Sequence, residues 1–81
     1  MICKIPLMLA PQPEGGFTVT SPLLPELVTE GDTIEEVLAN VQDAFQAVIE
    51  AYRELGRSLP SGLQVSDSDG PVWLETLVAA A

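Results

Sequence analysis

The sequence predicts a single α+β domain over residues 1–81, with the element order β-β-β-α-β and one long helix packed on a small, mainly antiparallel sheet. Two observations predict this class. Up to about residue 29, apolar residues recur at every second position between proline- and glycine-rich turns, which is typical of short strands. From Asp32 the apolar period changes to about 3.6 residues, which is typical of an amphipathic helix.

The N-terminal run alternates and predicts a first strand. Its two faces carry Cys3, Ile5, Leu7 and Leu9 on one side and Ile2, Lys4, Pro6 and Met8 on the other. Because proline has no N–H to donate, Pro6 places this strand at an edge or at an unpaired donor position. The pattern predicts a turn at residues 11–16 and the second strand of a hairpin at residues 17–21. A short third strand is predicted around residues 27–29, with Gly31 as its stop.

A continuous apolar stripe predicts the helix. Its members, spaced four and three residues apart in turn, are Ile34, Leu38, Val41, Phe45, Val48, Tyr52 and Leu55. Thr33 and Glu36 have the spacing of a capping box, with Asp32 as an alternative cap one residue earlier. Gly56 is a natural C-terminal stop.

Beyond Pro60 the sequence indicates a loop with a short strand at residues 63–65, a turn at 66–71 and a last strand at 72–78. The last strand is apolar on both faces. Such a strand is usually central in its sheet or covered by a neighbouring subunit. One helix covers one face of the sheet, so the opposite face is left for another chain.

The small size of the chain favours self-association. A domain this short buries only roughly 60–65% of its unfolded surface. Since Cys3 is the single cysteine and histidine is absent, neither an intrachain disulfide nor a zinc site is expected. We therefore expect a homo-oligomer, a dimer or a tetramer. The free thiol and the lack of a recognisable targeting or membrane-spanning segment favour the cytoplasm.

The charge is strongly acidic, with three basic residues against twelve acidic ones and a formal net charge of −9. This charge repels phosphate backbones, so we expect no direct binding to nucleic acid. A basic protein partner is the natural complement, because opposite fields accelerate association. The alternative is that the acidity only keeps the chain soluble. Exposed acids are the candidates for contact with such a partner: Glu14, Glu30, Asp43 and Glu50.

The residue inventory argues against an enzyme and predicts no cofactor. Without histidine there is no imidazole base, and Cys3 lies on the predicted core face, where a thiol is normally inert. Carboxylates could bind Mg²⁺, but Asp67, Asp69 and Glu75 are better explained as a solvated acidic turn and its neighbour.

The segment from residue 17 to residue 37 resembles the signature of the HicB-type antitoxin family. In that family a strand leads into Pro-Asp-Leu-Pro-Gly, then a Thr-x-Gly-Asp-Thr step, then Glu-Glu and an amphipathic helix. The matching positions are Pro22, Leu24, Pro25, Thr29, Gly31, Asp32, Thr33, Glu35 and Glu36. Leu23 and Glu26 depart from the pattern, and residues 54–60 resemble the family's helix exit.

The resemblance implies a degenerate ribonuclease-H-like fold that lacks catalytic carboxylates. It also implies that the chain neutralises a small, basic, mRNA-cleaving toxin of the HicA type by covering its active site, and that it forms dimers or tetramers. Longer members add a DNA-binding module, for which residues 1–81 leave no room, so autorepression is not expected. The alternative is an orphan domain of the same fold that self-assembles without a toxin. The matching motif residues are expected to be mainly backbone devices, namely bends, a tight turn and a helix cap.

Overall fold

The computed structural model describes residues 2–65 and 70–80. Its elements are β1 (Ile2–Cys3), β2 (Met8–Pro11), β3 (Phe17–Thr20), β4 (Val28–Gly31), α1 (Ile34–Glu54), a 3₁₀ turn (Ser61–Leu63) and β5 (Gln64–Val65). Strands β2, β3 and β4 form an antiparallel sheet in that order, with Val19 of β3 paired to Leu9 on one side and to Thr29 on the other. Strands β1 and β5 form a separate antiparallel pair. The chain is therefore an α+β protein with one long helix, as its sequence predicts.

The predicted N-terminal strand is confirmed in its alternation but is wrong as one continuous element. Cys3, Ile5, Leu7 and Leu9 are half-buried while the residues between them are exposed. The run is divided into β1 and β2 because it changes partner, from β5 to β3. The Lys4 N–H donates to the Leu63 carbonyl at 2.9 Å, and Pro6, which has no N–H, lies in the break.

The helix begins and ends where the sequence predicts. Thr33 is the N-cap, so the alternative cap at Asp32 is wrong. At the other end, Gly56 adopts a φ of +66°, a left-handed conformation that favours glycine. The Gly56 N–H donates to the Arg53 carbonyl at 3.1 Å, and the next N–H donates to the Tyr52 carbonyl at 2.9 Å. These bonds satisfy carbonyls that the last helical turn leaves without partners.

The helix packs on β4 and contributes side chains to two apolar clusters. The first cluster contains Leu24, Leu27, Val48, Tyr52 and Leu63, and the second contains Val19, Val37 and Val41. The predicted stripe is confirmed at its buried members Val41, Val48 and Tyr52. It is wrong at Leu38 and Leu55, which are exposed, and it omits Val37, which is fully buried. The first half of the helix is turned toward β4, which brings Val37 to the strand in place of Leu38.

The predicted last strand at residues 72–78 is wrong. Residues 71–80 have no regular secondary structure and are exposed. As a strand, residues 72–78 would be apolar on both faces and would need cover on both sides. The helix covers only one face of the sheet. The strand that follows the helix is β5, at the position of the predicted short strand. Of the predicted turn, residues 66–69 lie outside the described residues. Within the described part of the chain, no helix is long and apolar enough to cross a membrane.

Candidate functional site

An acidic pocket lies where the β2–β3 turn, the end of β4 and the start of α1 meet. Its volume is about 340 Å³. Four carboxylate side chains line it, from Glu14, Glu30, Asp32 and Glu36, and none of its described lining residues is basic. An arrangement of this kind attracts a guanidinium or ammonium group.

The β2–β3 turn holds Glu14 at the rim of this pocket. The Gly15 N–H donates to the Gln12 carbonyl and the Gln12 N–H to the Gly16 carbonyl, both at 3.0 Å. Gly15 and Gly16 have φ values of +102° and +77°, which only glycine adopts readily. Gly16 also lies so close to Gly31 that a Cβ on Gly16 would be 2.9 Å from the Gly31 carbonyl oxygen. The turn is thus fixed in shape and packed against the end of β4.

The junction of β4 with the helix is equally tight. A Cβ on Gly31 would lie 2.7 Å from the Val37 backbone nitrogen, which is closer than real Cβ atoms come. Gly31 therefore lets the strand end directly against the first turn of the helix. Asn40 adds a bond across the junction, donating from Nδ2 to the Glu30 carbonyl at 2.7 Å.

Capping bonds set the positions of the two carboxylates at the helix start. The Glu36 N–H donates to Thr33 Oγ1 at 3.1 Å, and Glu36 Oε2 accepts from the Asp32 N–H at 2.8 Å. The reciprocal bond therefore reaches one residue beyond the cap, because in the usual capping box it returns to the N-cap N–H. Glu35 and Glu36 also lie at the positive end of the helix dipole, which favours their negative charge.

The acidic character continues along the outer surface of α1. Glu36, Asp43 and Glu50 are seven residues apart, or nearly two helical turns, so they share one exposed side, away from the buried Val41 and Val48. We call the pocket and this row together the acidic face, formed by Glu14, Glu30, Asp32, Glu36, Asp43 and Glu50.

The predicted partner-contact residues fall into two groups. Glu14 and Glu30 lie together in the pocket, while Asp43 and Glu50 lie further along the helix. The sequence pattern does not assign Asp32 and Glu36 to this surface, because helix capping alone explains both residues. One signal was available: Asp32 and Glu36 follow closely after a predicted strand end that already carries an acidic residue, Glu30.

The motif residues divide between two places and do not form one site. Pro22 and Pro25 are exposed in the bend between β3 and β4, around the fully buried Leu24, and Thr29 lies in β4. In that bend the Leu23 N–H donates to Ser21 Oγ at 3.3 Å. Gly31, Asp32, Thr33, Glu35 and Glu36 lie at the strand–helix junction described above.

Glu26, one of the two departures from the family pattern, makes a polar contact that the sequence did not predict. The Tyr52 hydroxyl donates to the Glu26 carboxylate at 3.1–3.2 Å, and the Arg57 guanidinium lies 3.7 Å from Glu26 Oε1. The guanidinium also lies 4.6 Å from the centroid of the Tyr52 ring. Burial of the hydroxyl, and then its bond to the negatively charged Glu26, raise the pKa of Tyr52 above 10.0, while Arg57 opposes this. The contact joins the bend to the end of the helix.

The described residues contain no group of three or more His, Cys, Asp or Glu side chains that could hold a metal ion. Asp67 and Asp69, two members of the carboxylate set considered for Mg²⁺, lie outside the described residues, and Glu75 is exposed. Cys3 is a half-buried free thiol.

These features define a class, the small acidic α+β domains with one long helix on a three-stranded antiparallel sheet. No family model matches the chain. It is 40% identical over 57 residues to Antitoxin HicB 1 of Photorhabdus laumondii, covering 70% of this chain, and 33% identical over 77 residues to Antitoxin HicB of Escherichia coli K12, covering 95%. It spans 37% and 56% of those relatives, respectively.

A shorter relative matches over most of its own length. This is a UPF0150 protein of Thermoplasma acidophilum, 30% identical over 57 residues, which cover 70% of this chain and 83% of that protein. The chain belongs to the HicB-type antitoxin family.

Proposed function

We propose that the chain is a non-catalytic antitoxin module that binds a small basic toxin of the HicA type through the acidic face and covers the active site of that toxin. The observation that carries the proposal is the acidic face itself, on a chain whose HicB relatives are antitoxins. A toxin that cleaves mRNA needs a cationic surface for its substrate, and the acidic face is complementary in charge to such a surface.

The geometry supports a two-part contact. The pocket of about 340 Å³ admits an arginine or lysine side chain from the partner, surrounded by the carboxylates of Glu14, Glu30 and Asp32. The row of Asp43 and Glu50 extends the contact along the helix. The net charge of −9 steers a basic partner toward the chain, so association should slow as salt rises. The same charge disfavours direct binding to nucleic acid.

The experiment is a growth-rescue assay in which the chain is co-expressed with a HicA-type toxin in bacteria. Two double variants divide the acidic face, Glu14→Gln with Glu30→Gln in the pocket and Asp43→Asn with Glu50→Gln on the helix. We expect the unchanged chain to restore growth. The pocket variant should lose rescue, with at least about tenfold weaker toxin affinity, because charge pairs that become buried on binding dominate such contacts.

A matched control separates contact from net charge. Glu54→Gln with Glu75→Gln removes the same two charges at exposed positions outside the acidic face and should keep full rescue. Rescue that is equally weak in the control and in the pocket variant would mean that only the total charge matters. No rescue by the unchanged chain would contradict the toxin proposal. We place the function in the cytoplasm, where a toxin of this kind meets its substrate.

A second function, a self-assembling domain without a toxin, is favoured by one observation. The segment at residues 72–78 exposes large apolar side chains to solvent. The two functions are distinguished by purifying the tagged chain from its host. A small basic protein in near-stoichiometric amount supports the antitoxin module, and a homo-oligomer with nothing attached supports self-assembly alone.

A further inference from the structure

The three-stranded sheet has one face that the helix does not cover. On the covered face, Val19 of β3 is fully buried in the second apolar cluster, and Leu9 of β2 packs against it. Successive side chains along a strand point to opposite sides of the sheet, so the residues that alternate with these two share the uncovered side. We call this side the open face, formed by Met8, Ala10, Thr18, Thr20, Val28 and Glu30.

The open face has an exposed apolar row. Met8 pairs with Thr20 and Thr20 pairs with Val28, so these three side chains lie in one line across the sheet. Met8 and Val28 are 62% and 60% exposed. Thr20, which carries a methyl group, lies between them, and the two ends are about 10 Å apart across the three strands. We call these three residues the apolar row.

The neighbouring row of the open face belongs to the acidic pocket. It contains Thr18 and Glu30, which pair across β3 and β4 and both line the pocket. This row lies about 7 Å from the apolar row, which is the advance of two residues along a strand. Asn40 fixes its position, since Nδ2 donates to the Glu30 carbonyl at 2.7 Å. The apolar row and the pocket carboxylates are therefore parts of one continuous surface with a fixed separation.

We propose that the open face is the apolar half of the contact with the basic partner. The partner would place an apolar side chain on the apolar row while its cationic side chain enters the acidic pocket. Alternate residues of an extended strand are about 7 Å apart and point the same way, so a strand with a cationic and an apolar residue at alternate positions fits both places. This inference rests on the proposed function and adds the second chemistry that the partner must carry.

Charge selects this partner over a second copy of the chain. Glu30 is the one charged residue of the open face, and it is one of the four carboxylates that line the pocket. Because the two rows are only about 7 Å apart, stacking of this face on itself would bring the pocket carboxylates of both copies near one another. That contact is repulsive for a chain with a net charge of −9, whereas a cationic partner is attracted to the same place.

The test measures the affinity of the purified chain for the HicA-type toxin of the growth-rescue assay at several sodium chloride concentrations. Met8→Gln with Val28→Thr makes the apolar row polar without changing the charge. We expect about tenfold weaker binding at every salt concentration, because salt does not screen apolar contacts. Val28→Thr alone, which keeps the size and the branching of the side chain, should weaken binding about threefold.

The salt dependence separates the two halves of the contact. Glu14→Gln with Glu30→Gln in the pocket should weaken binding and also make it less sensitive to salt, because it removes charge pairs that salt screens. The open-face variant should keep the salt dependence of the unchanged chain. A general loss of stability would not produce this difference, and each variant should keep the urea midpoint of the unchanged chain, since Met8 and Val28 are exposed.

A matched control identifies the surface. Leu55→Gln with Val78→Thr changes side chains that are 68% and 77% exposed outside the open face, and it should bind the toxin as the unchanged chain does. Toxin binding that the open-face variant leaves unchanged, or that the control weakens equally, would overturn this inference and leave the proposed function standing. No binding by the unchanged chain would overturn both. A lower mass of the open-face variant alone in light scattering would assign the face to contacts between copies and overturn the inference.

Discussion

The buried leucine of the β3–β4 bend provides a sharp test of the packing. Leu24 is fully buried in the first apolar cluster, between the bend and the C-terminal half of the helix. Leu24→Ala removes three carbon atoms and leaves a cavity, so it should lower the free energy of unfolding by about 2–5 kcal/mol. A domain of this length has a total of only about 4–12 kcal/mol, so the variant should lose much of its stability.

The adjacent leucine is the matched control. Leu23 is 37% exposed and lines an open groove, so Leu23→Ala leaves no enclosed cavity and should cost about 1.5 kcal/mol or less. The assay is urea unfolding followed by circular dichroism, together with thermal unfolding, where each kcal/mol corresponds to about 4–8 °C. Equal losses for the two variants would refute the assignment of Leu24 to the core and of Leu23 to the surface.

Three further changes test the strand–helix junction and the bend contact. Gly31→Ala should destabilise the fold by about 1–3 kcal/mol in denaturant unfolding, because its Cβ meets the Val37 backbone; Gly62→Ala, which has room, should be nearly neutral. Thr33→Ala removes the helix cap and should cost about 0.5–2 kcal/mol, with a matching loss of helical circular dichroism; an unchanged unfolding midpoint would contradict the cap. The raised pKa of Tyr52 should appear as a tyrosine absorbance titration above pH 10.0. Since the folded state holds the hydroxyl proton more tightly than the unfolded state, the free energy of unfolding should fall as the pH rises above 10.0. Tyr52→Phe should remove this part of the pH dependence of stability.

The helix and the hairpin could be predicted because local chemistry dictates both. The spacing of apolar residues, the cap at Thr33 and the stop at Gly56 act within a few residues, so the sequence contains their signals directly. The alternation of the N-terminal run likewise predicted which side chains face the core. Pattern alone did not reveal that the run changes partner between β1 and β2, because that depends on where residues 64–65 return.

Features that depend on distant residues could not be read from the sequence. The bond between Glu26 and Tyr52 joins positions 26 residues apart, and neither position carries a local sign of it. The acidic pocket is not predicted, for the same reason: the sequence indicates Glu14 and Glu30 only as separate exposed acids, and the register of β3 with β2 and β4 brings their two segments together. The apolar pattern of residues 72–78 predicted a strand, but forming one requires neighbours on both faces.

The division of the core into two clusters has a consequence for cooperativity. Val37 and Val41 belong to one cluster and Val48 and Tyr52 to the other, so the single helix is a wall of both. If one cluster unfolds, half of the helix loses the apolar contacts that stabilise it. Because most helical stability in a protein comes from packing, the rest of the helix is then destabilised as well. The two halves therefore share one unfolding event, and amide protons along the helix should exchange with nearly uniform protection instead of in two separate groups.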